Sequence, residues 1–127
     1  MSELWEVNAS GAPAAVGAYS QAIKTGGLVF TSGCLPINPA DKTMPEDVKE
    51  QAKTSLTNLK AILEAAGSGL DRVAKTTVFL SDIKDFQAVN EVYAAFFGKP
   101  YPARSCFAVA ALPLGAKLEI EAVAALK

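Results

Sequence analysis

Apolar and polar positions recur with two different periods along this chain, and each change of period marks a new element. YSQAIKT and LVFTSG flank Gly26 and Gly27 with β-forming residues, and the glycine pair tolerates positive φ, which predicts a β-hairpin. LWEVN ahead of them reads as an N-terminal edge strand. Beyond residue 43 the period lengthens: Val48, Ala52, Leu56, Leu59, Ile62, Leu63 and Ala66 fall three or four apart, with Lys49, Glu50, Lys53 and Lys60 outside their stripe. That spacing predicts a helix with one buried face. Its start is expected at a capping box of Thr43 and Glu46 with Pro45 in the first turn, and its end at Gly67.

LDRVAKTTVFLS (70–81) is β-branched through its middle and reads as a strand. Asp82 is expected to open a second helix, whose apolar face carries Phe86, Val89, Tyr93, Phe96 and Phe97 and which Gly98 ends. ARSCFAVAAL and KLEIEAVAAL follow as two more strands joined by the turn residues PLGA. Without repeat, linker or low-complexity tract, residues 1–127 read as a single domain in the order β-β-α-β-α-β-β. Two helices cannot cover both faces of a sheet. The expected fold class is therefore α+β, a two-layer sandwich in which a mixed sheet of about six strands carries both helices on one face. The last strands are apolar on both sides, so the second face calls for another subunit in a closed homo-oligomer.

Composition narrows the chemistry. The 127 residues are 50% hydrophobic and 20% charged, which suits one packed domain. They include no histidine, which removes Ser-His-Asp, Cys-His and HExxH catalysis together. Twelve basic against 13 acidic residues, net charge −1, lack the footprint of a nucleic-acid binder. Cys34 and Cys106 lie far apart with no CxxC spacing, as expected of reduced thiols and not of a disulfide or a metal site. No apolar run is long enough to cross a bilayer, so no membrane partner is expected. MSELWEVNASGAP lacks the pattern of a targeting peptide, which makes the cytoplasm the expected compartment, or the mitochondrion if a targeting segment has been removed.

Arg104 and Cys106 share one side of their strand, and Glu119 and Glu121 one side of the next. GAYSQAI (17–23), VFTSGCLPINP (29–39), KTTVFLSDIKDFQAVNEVY (75–93), PARSC (102–106) and ALPLGAKLEIEAVA (111–124) together resemble the RidA/YjgF/UK114 family of imine deaminases. The resemblance implies a chorismate-mutase-like fold, a homotrimer with ligand clefts between neighbours, and hydrolysis of 2-imino acids such as 2-iminobutanoate and 2-iminopropanoate to 2-oxo acids and ammonia. It makes Arg104 the carboxylate-binding arginine and Glu119 the water-positioning glutamate, and it places Tyr19, Ser32, Gly33, Asn90 and the Cys106 backbone in the cleft. Two positions depart from the family pattern: Ala18 stands where proline is common and Cys34 where glutamine is frequent.

The chemistry is consistent on its own terms. An arginine fork binds a planar carboxylate through two parallel hydrogen bonds, a carboxylate can take a proton from an attacking water, and no cofactor is needed. Plainer roles exist for each group. Arg104 could serve an interface ion pair, Glu119 and Glu121 an exposed strand face, Cys106 a small core cysteine, Tyr19 the core, and Asn90 a buried structural amide. A regulatory small-molecule module and an RNA-cleaving translation inhibitor are the alternative functions.

Overall fold

A computed structural model describes residues 3–127. Its elements are β1 (Trp5–Val7), β2 (Ala22–Thr25), β3 (Leu28–Thr31), α1 (Val48–Ala65), β4 (Val73–Leu80), α2 (Phe86–Phe96), β5 (Ala103–Ala108) and β6 (Leu118–Ala125). The six strands form one sheet in the order β1-β2-β3-β6-β4-β5, with β4 and β5 parallel and the other pairs antiparallel. This is the mixed α+β sheet expected from the pattern.

The hairpin turns where the glycine pair predicts it: Gly26 and Gly27 have φ of 58° and 81°, the left-handed pair that a two-residue turn requires. At the start of α1 the structure corrects the expectation. The cap is Asp47, whose Oδ2 accepts from the Glu50 amide at 3.1 Å, whereas the Thr43 hydroxyl is spent on Asp41 at 2.6 Å. Thr43–Glu46 and Asp47–Glu50 have the same spacing, and the local bond to Asp41 removes the first as a cap. Gly67 does close the helix, with Ser68 N donating to Leu63 O and Gly67 N to Glu64 O in a Schellman arrangement. Asp82 caps only a 3₁₀ turn at Ile83–Asp85, accepting from the Lys84 amide at 2.9 Å, and α2 proper begins at Phe86.

A second correction concerns the last two strands. They are consecutive but not neighbours, because β4 lies between β5 and β6. β4, α2 and β5 form a crossover, and a strand that returns through a helix pairs in parallel with the strand it left. The PLGA segment therefore spans the end of β4, where Ser81 N donates to Lys117 O at 3.0 Å, and does not make a hairpin.

The core lies between the helices and one face of the sheet, where Val29, Leu56, Leu59, Leu63, Val78, Leu80, Leu118 and Ile120 are fully buried. Removing each such side chain from water contributes about 1.5–3 kcal/mol. Two buried amides tie loops to α1. Asn58 donates to Leu35 O and Ile37 O at 3.1 and 2.8 Å, and Gln51 donates to Pro45 O while accepting from Lys117 N. The segment after β3 is thereby held in place.

Along β6 burial alternates strictly: Leu118, Ile120, Ala122 and Ala124 are buried, and Glu119, Glu121, Val123 and Ala125 are half-buried. The second face is apolar and open in the single chain, with Phe30 and Phe107 exposed by 43% and 45% next to half-buried Ile23, Phe79 and Val123. β5 is an edge strand, and in the single chain Ala103, Arg104, Phe107 and Ala108 are exposed along it.

Candidate functional site

Register decides which predicted residues can meet. Arg104 pairs with Thr76, which pairs with Ala122, and this row faces the helices. Phe107 pairs with Phe79, which pairs with Glu119, and this row has the opposite parity and faces the open side. Two strand spacings and three residues of rise put Arg104 and Glu119 roughly 14 Å apart in the plane of the sheet, with the sheet itself between their side chains.

On the helix side, Phe86, Asn90 and Tyr93 form one stripe of α2 that leans over β5. Arg104 Nη1 donates to Asn90 Oδ1 at 2.8 Å, and its guanidinium carbon stands 4.8 Å from the Tyr93 ring centroid and 5.4 Å from that of Phe86. Cation–π contact of this kind is worth about 0.5–2 kcal/mol. The Tyr93 hydroxyl shares a 2.7 Å hydrogen bond with Thr76 Oγ1, both residues being buried, which fixes the ring beneath the guanidinium. Among the described residues no carboxylate forms an ion pair with Arg104, so its fork is held at the sheet edge with donors to spare. Cys106 shares this side. Burial pushes its thiol above the ordinary range, with Arg104 opposing that shift, so the group is a poor thiolate nucleophile.

On the open side, the Glu119 carboxylate rests directly against Gly33. Desolvation, and then the neighbouring charge of Glu121, hold its carboxyl above the usual carboxylate range. Gly33 also lines a cavity of about 940 Å³ together with Ser32, Tyr19 and Cys34, and this cavity reaches in to Asn58 and Ile62 of α1 on the helix side. Ser32 Oγ donates to Ser20 O at 2.6 Å, and the Tyr19 hydroxyl, on a side chain 51% exposed, accepts from Val16 N at 3.4 Å. Buried Cys34 has its thiol pushed up to about 12 by desolvation and by Glu119.

The predicted residues therefore fall into two groups. Arg104, Asn90 and Cys106 lie together on the helix side of the sheet edge. Tyr19, Ser32 and Gly33 line one cavity, with Glu119 packed on Gly33. Asn90, expected as a buried structural amide if not in the cleft, is half-buried and bound to Arg104.

The family model described as Endoribonuclease L-PSP matches residues 9–126 of this chain. An Escherichia coli protein named 2-iminobutanoate/2-iminopropanoate deaminase is 50% identical over 116 residues, 89% of this chain and 91% of that protein. The chain belongs to the RidA family. Another relative, the RutC family protein y4sK of Sinorhizobium fredii, is 54% identical over 121 residues, 94% of this chain and 96% of its own. The crystal structure of E. coli TdcF with bound serine matches this RidA-family fold with a TM-score of 0.93 at 45% identity, covering 97% of this chain and 99% of that one.

Sequence reasoning missed Phe86, Tyr93 and Thr76, which hold Arg104 in this RidA-family chain. On the sequence, Phe86 and Tyr93 belong to the apolar face of a helix and look like core. The available signal was Asn90, a polar residue on that same face with aromatic neighbours four positions before and three after it.

Proposed function

We propose that this protein hydrolyses small 2-imino acids, 2-iminobutanoate and 2-iminopropanoate among them, to the 2-oxo acids and ammonia, in clefts formed between subunits of a homotrimer. The observation that carries this reading is the separation of Arg104 and Glu119 onto opposite faces of one sheet. A substrate of a few atoms cannot bridge them within one subunit, whereas a neighbour docked on the open apolar face can bring its own half to meet this one. The name of the E. coli deaminase supports the reaction class, and serine in TdcF is a carboxylate-bearing ligand of suitable size.

In this mechanism the Arg104 fork takes the substrate carboxylate through two parallel hydrogen bonds, while Asn90 and the Tyr93 and Phe86 rings keep the fork from swinging. Glu119, with its raised proton affinity, accepts a proton from a water next to the C=N carbon. The water oxygen bonds to that carbon, and the C=N π pair goes to nitrogen, which takes up a proton. That proton is the one Glu119 took from the water; in the resulting carbinolamine Glu119 then moves the hydroxyl proton to the amino nitrogen, the C–N bond breaks, ammonia leaves and the 2-oxo acid remains. Carboxylate binding alone has no need of an acid/base group, which favours catalysis over a regulatory binding module. Net charge −1 and the lack of histidine weigh against RNA cleavage.

The test follows 2-iminopropanoate and 2-iminobutanoate, generated in situ by an amino-acid oxidase, with and without the protein. Protein-dependent acceleration of decay that Arg104→Ala abolishes is expected. Decay at the buffer rate, or RNA cleavage by metal-free protein that survives in Arg104→Ala, would overturn the proposal.

A further inference from the structure

Gly33 is not a glycine for backbone reasons. Gly26, Gly27, Gly67 and Gly115 have positive φ, and Gly33 does not, so its backbone suits any residue. Its peculiarity is what a side chain would meet. The three nearest atoms to a Cβ built there are Oε1, Cδ and Cγ of Glu119, all within forbidden contact, the farthest at 2.8 Å. All three belong to one flexible side chain.

The backbone at this point cannot retreat. Cys34 N donates to Ile120 O at 2.7 Å and Ile120 N returns to Cys34 O at 3.3 Å, while Ser32 N donates to Gln21 O at 2.9 Å. Gly33 is thus pinned on one side to β6 and on the other to Gln21, the residue before β2. Glu119 is the movable partner, since it ends in a flexible carboxylate on the open face of β6. A methyl group at residue 33 must therefore displace the carboxylate and leave the chain path as it is.

We infer that Gly33 is a positioning residue: the absence of a side chain there is what lets the Glu119 carboxylate lie flat on the main chain of the segment after β3. This deepens the proposed function, because it rests on Glu119 as the group that holds the water. Within one chain the titratable groups facing Glu119 are Glu121 on its own strand and the Cys34 thiol on the segment after β3, while β4 presents Phe79; the proposed trimer adds a neighbour's Arg104 across the cleft, the same in wild type and variant. Moving the carboxylate off Gly33 carries it away from this desolvated place and into solvent.

The experiment compares wild type with Gly33→Ala. Carboxyl-labelled glutamate read by NMR should show the Glu119 pKa falling toward its ordinary value in the variant, a measurement that needs no activity. In the deaminase assay kcat should drop about 10²-fold with KM changed by less than about twofold, because the Arg104 side is untouched. The same substitution in a Glu119→Gln background should cost nothing further in kcat, whereas a general structural defect would cost the same in both. Should Gly33→Ala fold poorly, Glu119→Ala must relieve the loss of Tm. An unchanged Glu119 pKa, or equal losses with and without the Glu119 side chain, would overturn the inference. A wild type that lacks deaminase activity yet shows the pKa change would sink the function and leave the positioning role standing.

Discussion

Arg104 and Glu119 stand on opposite faces of the same sheet, separated by β4 and by three residues along the strands. The helix face presents the arginine at an edge, and the open face presents the glutamate against Gly33. In the proposed mechanism, which uses both, a second copy of the chain completes the site.

Complementation between inactive variants follows from that geometry. Arg104→Ala keeps the Glu119 half and Glu119→Gln keeps the Arg104 half. In a cyclic trimer each mixed assembly then holds one intact site of three. Co-refolding equal amounts at random should restore about a quarter of wild-type activity. Mixed trimers verified by mass that stay inactive would mean that each site draws both groups from one subunit, and would reject the shared cleft.

How much of this was legible in the sequence depends on the range of the interaction involved. The hairpin at Gly26–Gly27 and the buried stripe of α1 are local, and the pattern carries both. The start of α1 is local as well, yet two consecutive cap spacings compete there and only the hydroxyl of Thr43, diverted to Asp41, decides between them. The order of β5 and β6 is not local. A PLGA turn between two strands reads as a hairpin, and nothing nearby in the chain announces that β4 will insert between them. The same blind spot hides the split site. Alternation shows that Arg104 and Cys106 share a side, but which face Glu119 takes relative to them depends on register across β4. Tyr93 escaped notice because its hydroxyl partner, Thr76, is distant in sequence.

Arginine should not be replaceable at residue 104. A lysine side chain would offer a point charge to the carboxylate and could not lie flat on the Tyr93 ring, so Arg104→Lys is expected to lose roughly 30- to 100-fold in kcat/KM, the equivalent of about 2–3 kcal/mol. Tyr93→Phe separates the two supports. It keeps the ring and removes the bond to Thr76, so Tm should fall while KM shifts little. A large rise in KM for the phenylalanine variant would mean that the hydroxyl, and not the ring, orients the fork.

Cys106 should be dispensable as a thiol. Its side chain is half-buried and burial raises its pKa, so little thiolate is present near neutrality. Cys106→Ser is expected to retain most of its turnover. A folded serine variant with no activity would restore the sulfur as a nucleophile.

Glu119 should carry opposite signs for activity and stability. Burial and Glu121 raise its carboxyl pKa in the folded chain. Such a group contributes stability below its unfolded pKa, about 4.3, and that contribution is lost as pH rises through the folded value. At neutral pH the ionised carboxylate therefore subtracts from stability, and Glu119→Gln, which keeps the shape without the charge, relieves this. Turnover should fall about 10²-fold because the amide cannot take a proton. Tm, read at one protein concentration, should rise at pH 7 and converge on the wild-type value as pH drops below the ordinary carboxylate range. The acid limb of the wild-type pH–rate profile should lie above the usual Glu value and be missing from the variant. A glutamine variant less stable than wild type at pH 7 would show that a cation, supplied by the assembled neighbour, holds the Glu119 charge. An unchanged pH–rate profile would remove Glu119 from proton transfer.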